Sequence, residues 1–277
     1  MIMKKNIKAL AADIDMTLCA KGGNLPQITI DAFEELHKQG VKLGLATGRE
    51  VTDQLKGQGK AWRLSFEFDF IIGMNGGMVY DLNSDKHYIM DLLTTDELKD
   101  MLYYLKPLVD QHHIAVNAEG GGNHNAMNIQ NELLESARRH GFMFEDKTGD
   151  IEGFCEKPAF KLLFRTEPET SALIRKAVHE KYDKYQTVET FPGTIEVMEK
   201  GIDKGSGMKM YAGWNDIDMK DVIAFGDNEN DNTLLEAAGC GVCLKDGNEN
   251  TKKIANDVTD YNCEDGGVGH YIFDHVL

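Results

Sequence analysis

Positive charge is scarce in this chain. Its 277 residues include 30 lysines and arginines against 46 aspartates and glutamates, a formal net charge of -16. A surface with this balance repels nucleic-acid backbones and anionic lipid headgroups. We therefore expect neither a nucleic acid nor a membrane as partner, and any phosphorylated ligand would need a local metal ion and a few cations.

Long apolar runs and paired cysteines are missing too. The first apolar stretch ends at Asp13 and is too short for a signal-peptide core or a membrane span. The five cysteines are odd in number and scattered, and no second pair follows Cys240 and Cys243. We therefore predict buried thiols rather than a disulfide framework or a zinc site. These features indicate a cytoplasmic protein.

Proline is rare as well, and no stiff linker separates the parts of the chain. Strand and helix signals alternate in residues 1–82 and again in residues 197–277, which is typical of a parallel sheet with right-handed crossovers. Residues 83–196 instead combine hairpin signals with amphipathic helices, one of them preceded by a capping box at Thr94 and Glu97. We predict an α/β core formed by the two outer segments and an inserted α+β domain between them.

Two carboxylates follow the first predicted strand. Residues 7–12 form an apolar run, and Asp13 and Asp15 come directly after it. The carboxyl ends of parallel strands are where such sheets build their active sites. A carboxylate there can attack phosphorus, and a neighbour two residues on can transfer the proton. We assign Asp13 as nucleophile and Asp15 as general acid and base.

Two later segments supply a hydroxyl and a cation. Thr47 follows the predicted strand at residues 41–46, where its hydroxyl can donate to a phosphoryl oxygen, and Gly48 lets the backbone come close. Lys204 would reach both the nucleophile and the phosphate from the first turn of a helix capped by Asp203. The predicted phosphate-binding set is Thr47, Gly48, Arg49, Lys204 and Asn230.

An acidic loop, GDNEND at residues 226–231, offers metal ligands. A helix that begins near Asn228 would fold the Asp231 carboxylate back toward Asp227. Oxygen ligands without nearby histidine or cysteine favour Mg²⁺ over softer metals. The predicted ligands are Asp13, the backbone carbonyl of Asp15, Asp227 and Asp231, the last either as a ligand or as a support for one.

Together these segments resemble haloacid dehalogenase superfamily phosphatases of the Cof-like kind, subclass IIB. The matching motifs are DIDMT at residues 13–17, TGR at 47–49, MNGG at 74–77, GIDKG at 201–205 and GDNEND at 226–231. The resemblance covers nearly the whole chain. It implies a Rossmann-like core with an inserted cap, Mg²⁺, and hydrolysis of small phosphomonoesters such as sugar phosphates through an aspartyl-phosphate. The chain departs from the family at Met16, where glycine is usual, which implies a restricted backbone and slower or more selective turnover.

The predicted insertion would choose the substrate, because the core contacts only the phosphoryl group and a closing lid supplies the other contacts. Its most distinctive segment is the glycine-rich run at residues 119–125. The run lacks the strand-to-helix context of a phosphate loop. We interpret it as a mobile surface hairpin.

Three other functions remain open. A phosphosugar mutase would use the same core residues and return the phosphoryl group to a reoriented sugar. A phospho-acceptor signalling domain combines similar residue types, although such domains are short and the long interval between Thr47 and Lys204 disfavours one. A non-catalytic sugar-phosphate binder is the third. The sequence favours neither a monomer nor a dimer.

Overall fold

The computed structural model describes residues 7–20, 22–140 and 143–277. The strands are β1 (Ala9–Ala12), β2 (Lys42–Ala46), β3 (Phe70–Gly73), β4 (Met78–Asp81), β5 (His87–Ile89), β6 (Ala115–Glu119), β7 (Asn125–Met127), β8 (Glu145–Asp146), β9 (Lys161–Arg165), β10 (Tyr185–Phe191), β11 (Thr194–Glu199), β12 (Val222–Gly226), β13 (Cys240–Cys243) and β14 (Asp257–Val258). The helices are α1 (Gln27–Lys38), α2 (Asp53–Lys56), α3 (Gln58–Ala61), α4 (Thr95–His112), α5 (Asn131–His140), α6 (Ile151–Phe154), α7 (Pro168–Lys181), α8 (Lys204–Trp214), α9 (Asn232–Ala237), α10 (Glu249–Ile254) and α11 (Gly267–Tyr271). Short 3₁₀ turns cover Met74–Gly76, Met219–Asp221 and Glu229–Asp231, and a π-helical turn covers Ile272–Val276.

The chain divides into two compact units, Met1–Ile89 with Ile202–Leu277, and Met90–Gly201. The sequence placed these boundaries slightly earlier. Residues 83–89 lie in the first unit because β5 pairs with β4 at the edge of its sheet. Residues 197–201 lie in the second unit because β11 pairs with β10 as far as Glu199. Each boundary thus falls where a strand stops pairing.

The first unit is built around a sheet in the order β14-β13-β12-β1-β2-β3-β4-β5. The strands from β14 to β3 run parallel, and β4 and β5 form an antiparallel edge. Strands β1 and β12 are buried along their whole length, as expected for central strands of a sheet covered on both faces. The predicted Rossmann-like α/β core is confirmed.

The pairing register of β1 brings the predicted site residues to one edge of this sheet. Ala12, the last residue of β1, pairs with Phe225 of β12 and with Leu45 of β2. Because all three strands are parallel, their carboxyl ends coincide. Asp13, Thr47 and Asp227 therefore lie at the same edge of the sheet. Their register positions differ by no more than a residue or two.

The second unit contains a sheet in the order β10-β11-β9-β6-β7-β8. One face of β6 and β9 carries apolar side chains, including Val116 and Phe164, which belong to a core formed with α4, α6 and α7. Helix α4 begins with the predicted capping box of Thr94 and Glu97. This unit is therefore an α+β structure with its own hydrophobic core, as the sequence predicted.

The glycine-rich segment at residues 119–125 is the turn of a hairpin, as the sequence indicated, because β6 pairs antiparallel with β7 and Gly120 bridges Asn123. Two of its side chains are nevertheless anchored. Asn123 and Asn125 are completely buried. The amide nitrogen of Asn123 donates to the Lys157 carbonyl at 2.8 Å, and that of Asn125 donates to the Phe154 carbonyl at 2.8 Å. These bonds tie the segment to the end of α6 and to the loop that follows it, so the segment is anchored.

All five cysteines are free and buried, which confirms the prediction of unpaired thiols. Cys240 and Cys243 lie on the short strand β13, next to the edge strand β14. Within the described part of the chain, no helix is both long enough and apolar enough to cross a bilayer.

Candidate active site

Asp13 extends strand β1 by one residue. Its backbone N–H donates to the carbonyl of Phe225 at 3.0 Å, so the residue still follows the ladder between β1 and β12. Its side chain is buried, with 10% of its surface exposed. The sheet therefore holds this carboxylate rigidly at its carboxyl edge.

Lys204 is the first residue of α8 and is completely buried. Asp203 caps the helix, as predicted: its carboxylate accepts from the Ser206 N–H at 2.7 Å, and the Ser206 hydroxyl accepts from the Asp203 N–H at 3.1 Å. The Lys204 ammonium donates to Asp13 Oδ1 and to Asp231 Oδ1, both at 2.6 Å. The cap thus fixes the start of α8 so that the lysine joins two motifs far apart in the sequence.

The acidic loop folds Asp231 back onto its own start. Asp231 Oδ2 accepts the backbone N–H groups of Asp227 at 2.9 Å and Asn228 at 3.1 Å. A Cβ atom on Gly226 would lie 2.4 Å from the Asp231 Cβ, so only glycine permits this turn. The fold-back predicted from the spacing of the two aspartates is confirmed, although a 3₁₀ turn and not an α-helix produces it.

Three carboxylates converge around the lysine. Oxygen atoms of Asp13, Asp227 and Asp231 lie within 4.8 Å of one another, and among the residues that the structure describes no other group of histidine, cysteine or acidic side chains converges in this way. The Thr17 hydroxyl donates to Asp227 Oδ1 at 2.6 Å. One lysine thus faces three carboxylates, which leaves an excess of negative charge.

The pKa values reflect this excess. Burial, opposed by the charge of Lys204 and reinforced by the charges of Asp231 and Asp15, raises the pKa of Asp13 to about 7. Burial, together with the charges of Asp231 and Asp13, raises the pKa of Asp227 to about 8. Burial alone would lower the pKa of Lys204, but Asp13 and Asp231 outweigh it and raise that pKa above its ordinary range. The donor set therefore suits a hard divalent cation, which would supply the missing positive charge.

Asp15 does not join this cluster but pairs with Arg49. The Arg49 Nε donates to Asp15 Oδ2 at 3.0 Å, and its Nη2 lies 2.6 Å from Oδ1 and 2.8 Å from Oδ2. Thr47 is buried, and its hydroxyl oxygen accepts from the Arg49 N–H at 3.3 Å. Gly48 between them is half-buried. The TGR segment therefore places a hydroxyl and a guanidinium side by side.

The sequence did not single out two residues that the structure brings to the site. Thr17 binds Asp227, and no spacing rule predicts a contact between residues so far apart. Asn75 accepts from the Asn230 amide at 3.2 Å and adopts a left-handed φ of 50°. The neighbouring Gly76 packs so closely on Asp203 that a Cβ atom there would lie 2.1 Å from its carbonyl oxygen. The MNGG segment thus also supports the start of α8.

The chain belongs to the haloacid dehalogenase-like hydrolase family. The sequence model of that family matches residues 10–272. It is 29% identical over 273 residues to a protein of Streptococcus pyogenes serotype M6 with the provisional name of phosphatase, covering 98% of this chain and 99% of that one. It is 24% identical to the 5-amino-6-(5-phospho-D-ribitylamino)uracil phosphatase of Bacillus subtilis, covering 93% of each chain.

Solved structures agree on the fold. A haloacid dehalogenase subclass IIB sugar phosphatase superposes with a TM-score of 0.79 at 20% identity, over 96% of this chain and 98% of that one. A haloacid dehalogenase-like hydrolase of Bacillus subtilis superposes with a TM-score of 0.79 at 21% identity, over 98% of this chain and all (100%) of the other. The haloacid dehalogenase-like family that the sequence motifs indicated is therefore confirmed, and these structures share its fold.

Proposed function

We propose that this protein is a Mg²⁺-dependent phosphatase that hydrolyses phosphomonoesters of small metabolites through an aspartyl-phosphate on Asp13. The observation that carries the proposal is the buried cluster in which Lys204 bridges Asp13 and Asp231 beside Asp227. Phosphoryl transfer needs a positioned nucleophile and positive charge around the equatorial oxygens. Asp13 supplies the nucleophile, and the excess negative charge of the cluster attracts a cation.

Asp13 is the nucleophile in this proposal. Lys204 holds its Oδ1, which aims Oδ2 for in-line attack on phosphorus. A new bond forms between Oδ2 and phosphorus while the bond from phosphorus to the leaving oxygen breaks. Because the Thr47 hydroxyl oxygen accepts the Arg49 N–H, its hydrogen can turn toward a phosphoryl oxygen. Lys204 stabilises the charge that builds up on the same group.

Asp15 transfers the protons. It gives one proton to the leaving oxygen in the first step, which releases the alcohol. In the second step it takes a proton from water, whose oxygen attacks phosphorus and breaks the bond to Asp13. Free phosphate leaves, and both carboxylates return to their initial states.

Mg²⁺ would be held by Asp13 and Asp227, with the backbone carbonyl of Asp15 as a further ligand. Both oxygens of Asp231 are engaged, Oδ1 by Lys204 and Oδ2 by two backbone N–H groups, so we assign it to supporting the loop. The bound cation would neutralise charge on the phosphoryl oxygens and keep Asp13 ionised at neutral pH.

The unit Met90–Gly201 would act as the cap that selects the leaving group. Two relatives support small phosphorylated metabolites as the substrate class: one is named for a phosphorylated ribitylaminouracil, and a structural neighbour is titled a sugar phosphatase. The net charge of -16 disfavours nucleic acids as substrates.

The test is phosphate release from a panel of sugar phosphates, nucleotides and phosphorylated cofactors, with Mg²⁺ and with excess chelator. We expect Mg²⁺-dependent release from at least one small monoester and none from the Asp13→Asn variant at matched folding. Release that survives chelation or the Asp13→Asn change would refute the proposal. So would an absence of release combined with ligand-stabilised melting, which indicates a binder without catalysis.

A further inference from the structure

Asn75, in the turn that follows β3, contacts two of the segments that form the site. We infer that Asn75 is a positioning residue for the phosphoryl group: its backbone N–H holds the segment that carries Thr47, and its side chain orients the Asn230 amide. This inference rests on the proposed function and on the prediction that Asn230 binds the phosphoryl group. The strain of the turn, its backbone bonds and its side-chain bond each support it.

Three consecutive residues of this turn have a left-handed backbone. The φ angle is 49° at Met74, 50° at Asn75 and 104° at Gly76. Glycine adopts such angles without strain, asparagine tolerates them, and methionine rarely adopts them. Met74 and Asn75 are also almost completely buried, with 0% and 2% of their surface exposed. Strain of this kind persists only where the surrounding contacts enforce it, and such positions concentrate at functional sites.

The turn uses two successive N–H groups to hold one segment. The Met74 N–H donates to the Arg49 carbonyl at 2.9 Å, and the Asn75 N–H donates to the Thr47 carbonyl at 3.0 Å. Both ends of the TGR segment are therefore tied to the turn. Because Thr47 is itself buried, these bonds fix its hydroxyl at the carboxyl edge of the sheet.

The side chain of Asn75 reaches the acidic loop. Its Oδ1 accepts from Asn230 Nδ2 at 3.2 Å. An amide nitrogen carries two hydrogens, so this bond occupies one and sets the direction of the other. It also fixes which end of the Asn230 side chain is the donor, because a rotated amide would bring two carbonyl oxygens together. Asn230 precedes Asp231, whose Oδ1 accepts from Lys204, so the oriented amide lies on the same turn as the charge cluster.

The backbone of the turn does not by itself explain an asparagine at this position. Glycine would adopt a φ of 50° without strain and would keep the N–H that binds Thr47. What glycine would lack is the acceptor for Asn230. A single hydrogen bond between two neutral amides adds little to stability, whereas a fixed donor at a phosphoryl group acts directly on binding.

Asn75→Gly separates the two roles, because glycine keeps the backbone bonds and removes only the side chain. Melting of the full chain with Mg²⁺ is followed while inorganic phosphate is added at constant ionic strength, which gives both the melting temperature and the dissociation constant of phosphate. We expect the dissociation constant to rise about 5-fold. The melting temperature without phosphate should stay within about 3 °C of wild type, because the relief of strain offsets the freedom that glycine adds to the unfolded chain.

Met74→Gly is the matched control from the same turn. It also relieves a left-handed φ, but it removes a buried apolar side chain and leaves Asn75 in place. We expect it to lower the melting temperature more than Asn75→Gly does and to change the phosphate dissociation constant less than about 2-fold. Equal weakening of phosphate binding in both variants would show that the turn acts as a whole, and this result would overturn the role of the Asn75 side chain.

A double-mutant cycle with Asn230→Ala tests whether Asn75 acts through that amide. Asn230→Ala alone should weaken phosphate binding about 10-fold, and Asn75→Gly should add no further loss in that background. Additive losses would overturn the inference, as would an unchanged dissociation constant in Asn75→Gly or an absence of phosphate binding by the wild type. Failure of the proposed function is recognised separately: a wild type that binds phosphate in this pattern but releases none from any phosphomonoester would overturn the hydrolysis alone.

Discussion

Lys204 in the first unit and Lys161 in the second are both withdrawn from solvent and both held by two carboxylates. Lys204 contacts Asp13 and Asp231 at 2.6 Å each. Lys161 contacts Glu196 at 3.0 Å and Glu119 at 3.5 Å. In each case burial alone would lower the pKa of the lysine, and the two carboxylates raise it instead. The two lysines therefore look alike in burial and in charge.

The difference lies in the charge around them. A third carboxylate, Asp227, converges on the Lys204 cluster, and the pKa values of Asp13 and Asp227 are raised. Around Lys161, one carboxylate is buried but the Glu119 side chain is 32% exposed, so water screens part of its charge. A buried lysine between carboxylates is thus no sign of catalysis by itself. The excess of buried negative charge distinguishes a site built for a cation from a structural ion pair.

Replacing each lysine by methionine sharpens this comparison most. Lys204→Met should lower turnover at least about 1,000-fold, because the developing phosphoryl charge loses a buried donor. Lys161→Met should leave turnover per folded molecule within about 3-fold of wild type but cost about 3 kcal/mol of unfolding free energy, because Glu196 loses its cation. Steady-state kinetics and urea unfolding measure the two effects. Inactivation by Lys161→Met at unchanged stability would erase the distinction.

The pH dependence of metal stabilisation tests the charge excess itself. The pKa values of about 7 for Asp13 and about 8 for Asp227 lie above the ordinary aspartate value of 3.8, so the metal-free folded state keeps protons that the unfolded chain has released. The contribution of these groups to stability therefore falls as the pH rises above about 4 and is lowest above about 8.

In the proposed site, Mg²⁺ would bind the ionised carboxylates and offset this loss. The rise in melting temperature that Mg²⁺ causes should therefore grow between about pH 5 and about pH 8. Asp227→Asn is the matched control and should show a smaller rise with a weaker dependence on pH. A rise that is the same at every pH would contradict the assignment.

Thr17 provides a smaller test, because it acts on the cluster only through Asp227. Thr17→Val keeps the shape of the side chain and removes the hydrogen bond of 2.6 Å that orients this carboxylate. We expect Mg²⁺ affinity, measured by calorimetry, to fall about 10-fold, and Thr17→Ser to retain most of it. Equal affinities in Thr17→Val and wild type would show that Asp227 is oriented without Thr17.

Met16 gives the smallest expected effect. Its φ of 69° is left-handed, which suits glycine and strains other residues. Met16→Gly should be more stable than Met16→Ala by about 1 kcal/mol, because both remove the side chain and only glycine relieves the strain. Urea unfolding of the two variants measures the difference. Equal stabilities would mean that the loop relaxes to another conformation in the alanine variant.

The sequence predicted the strand ends well because the apolar runs are short and each is followed at once by a polar residue. Asp13, Thr47 and Asp227 could be brought together from this pattern, since parallel strands share one carboxyl edge. The pairing of Thr17 with Asp227 and of Arg49 with Asp15 could not. Both depend on side-chain torsions across loops whose backbone conformation local sequence does not fix.

The second unit shows the same limit at the level of loops. The three glycines of residues 119–125 indicate flexibility, yet Asn123 and Asn125 anchor the segment through backbone carbonyls of α6 and of the loop that follows it. Composition predicts what a loop can do alone, whereas its order depends on partners distant in the chain.

Trapping the phosphorylated intermediate tests the central claim most directly. The protein is mixed with Mg²⁺ and its best substrate, quenched during turnover and treated with borohydride, which reduces an acyl phosphate to an alcohol. We predict that peptide mass spectrometry finds homoserine in place of the aspartate at position 13 and no reduction in samples without substrate. Phosphate release with position 13 unmodified, or with the reduced residue elsewhere, would contradict the account.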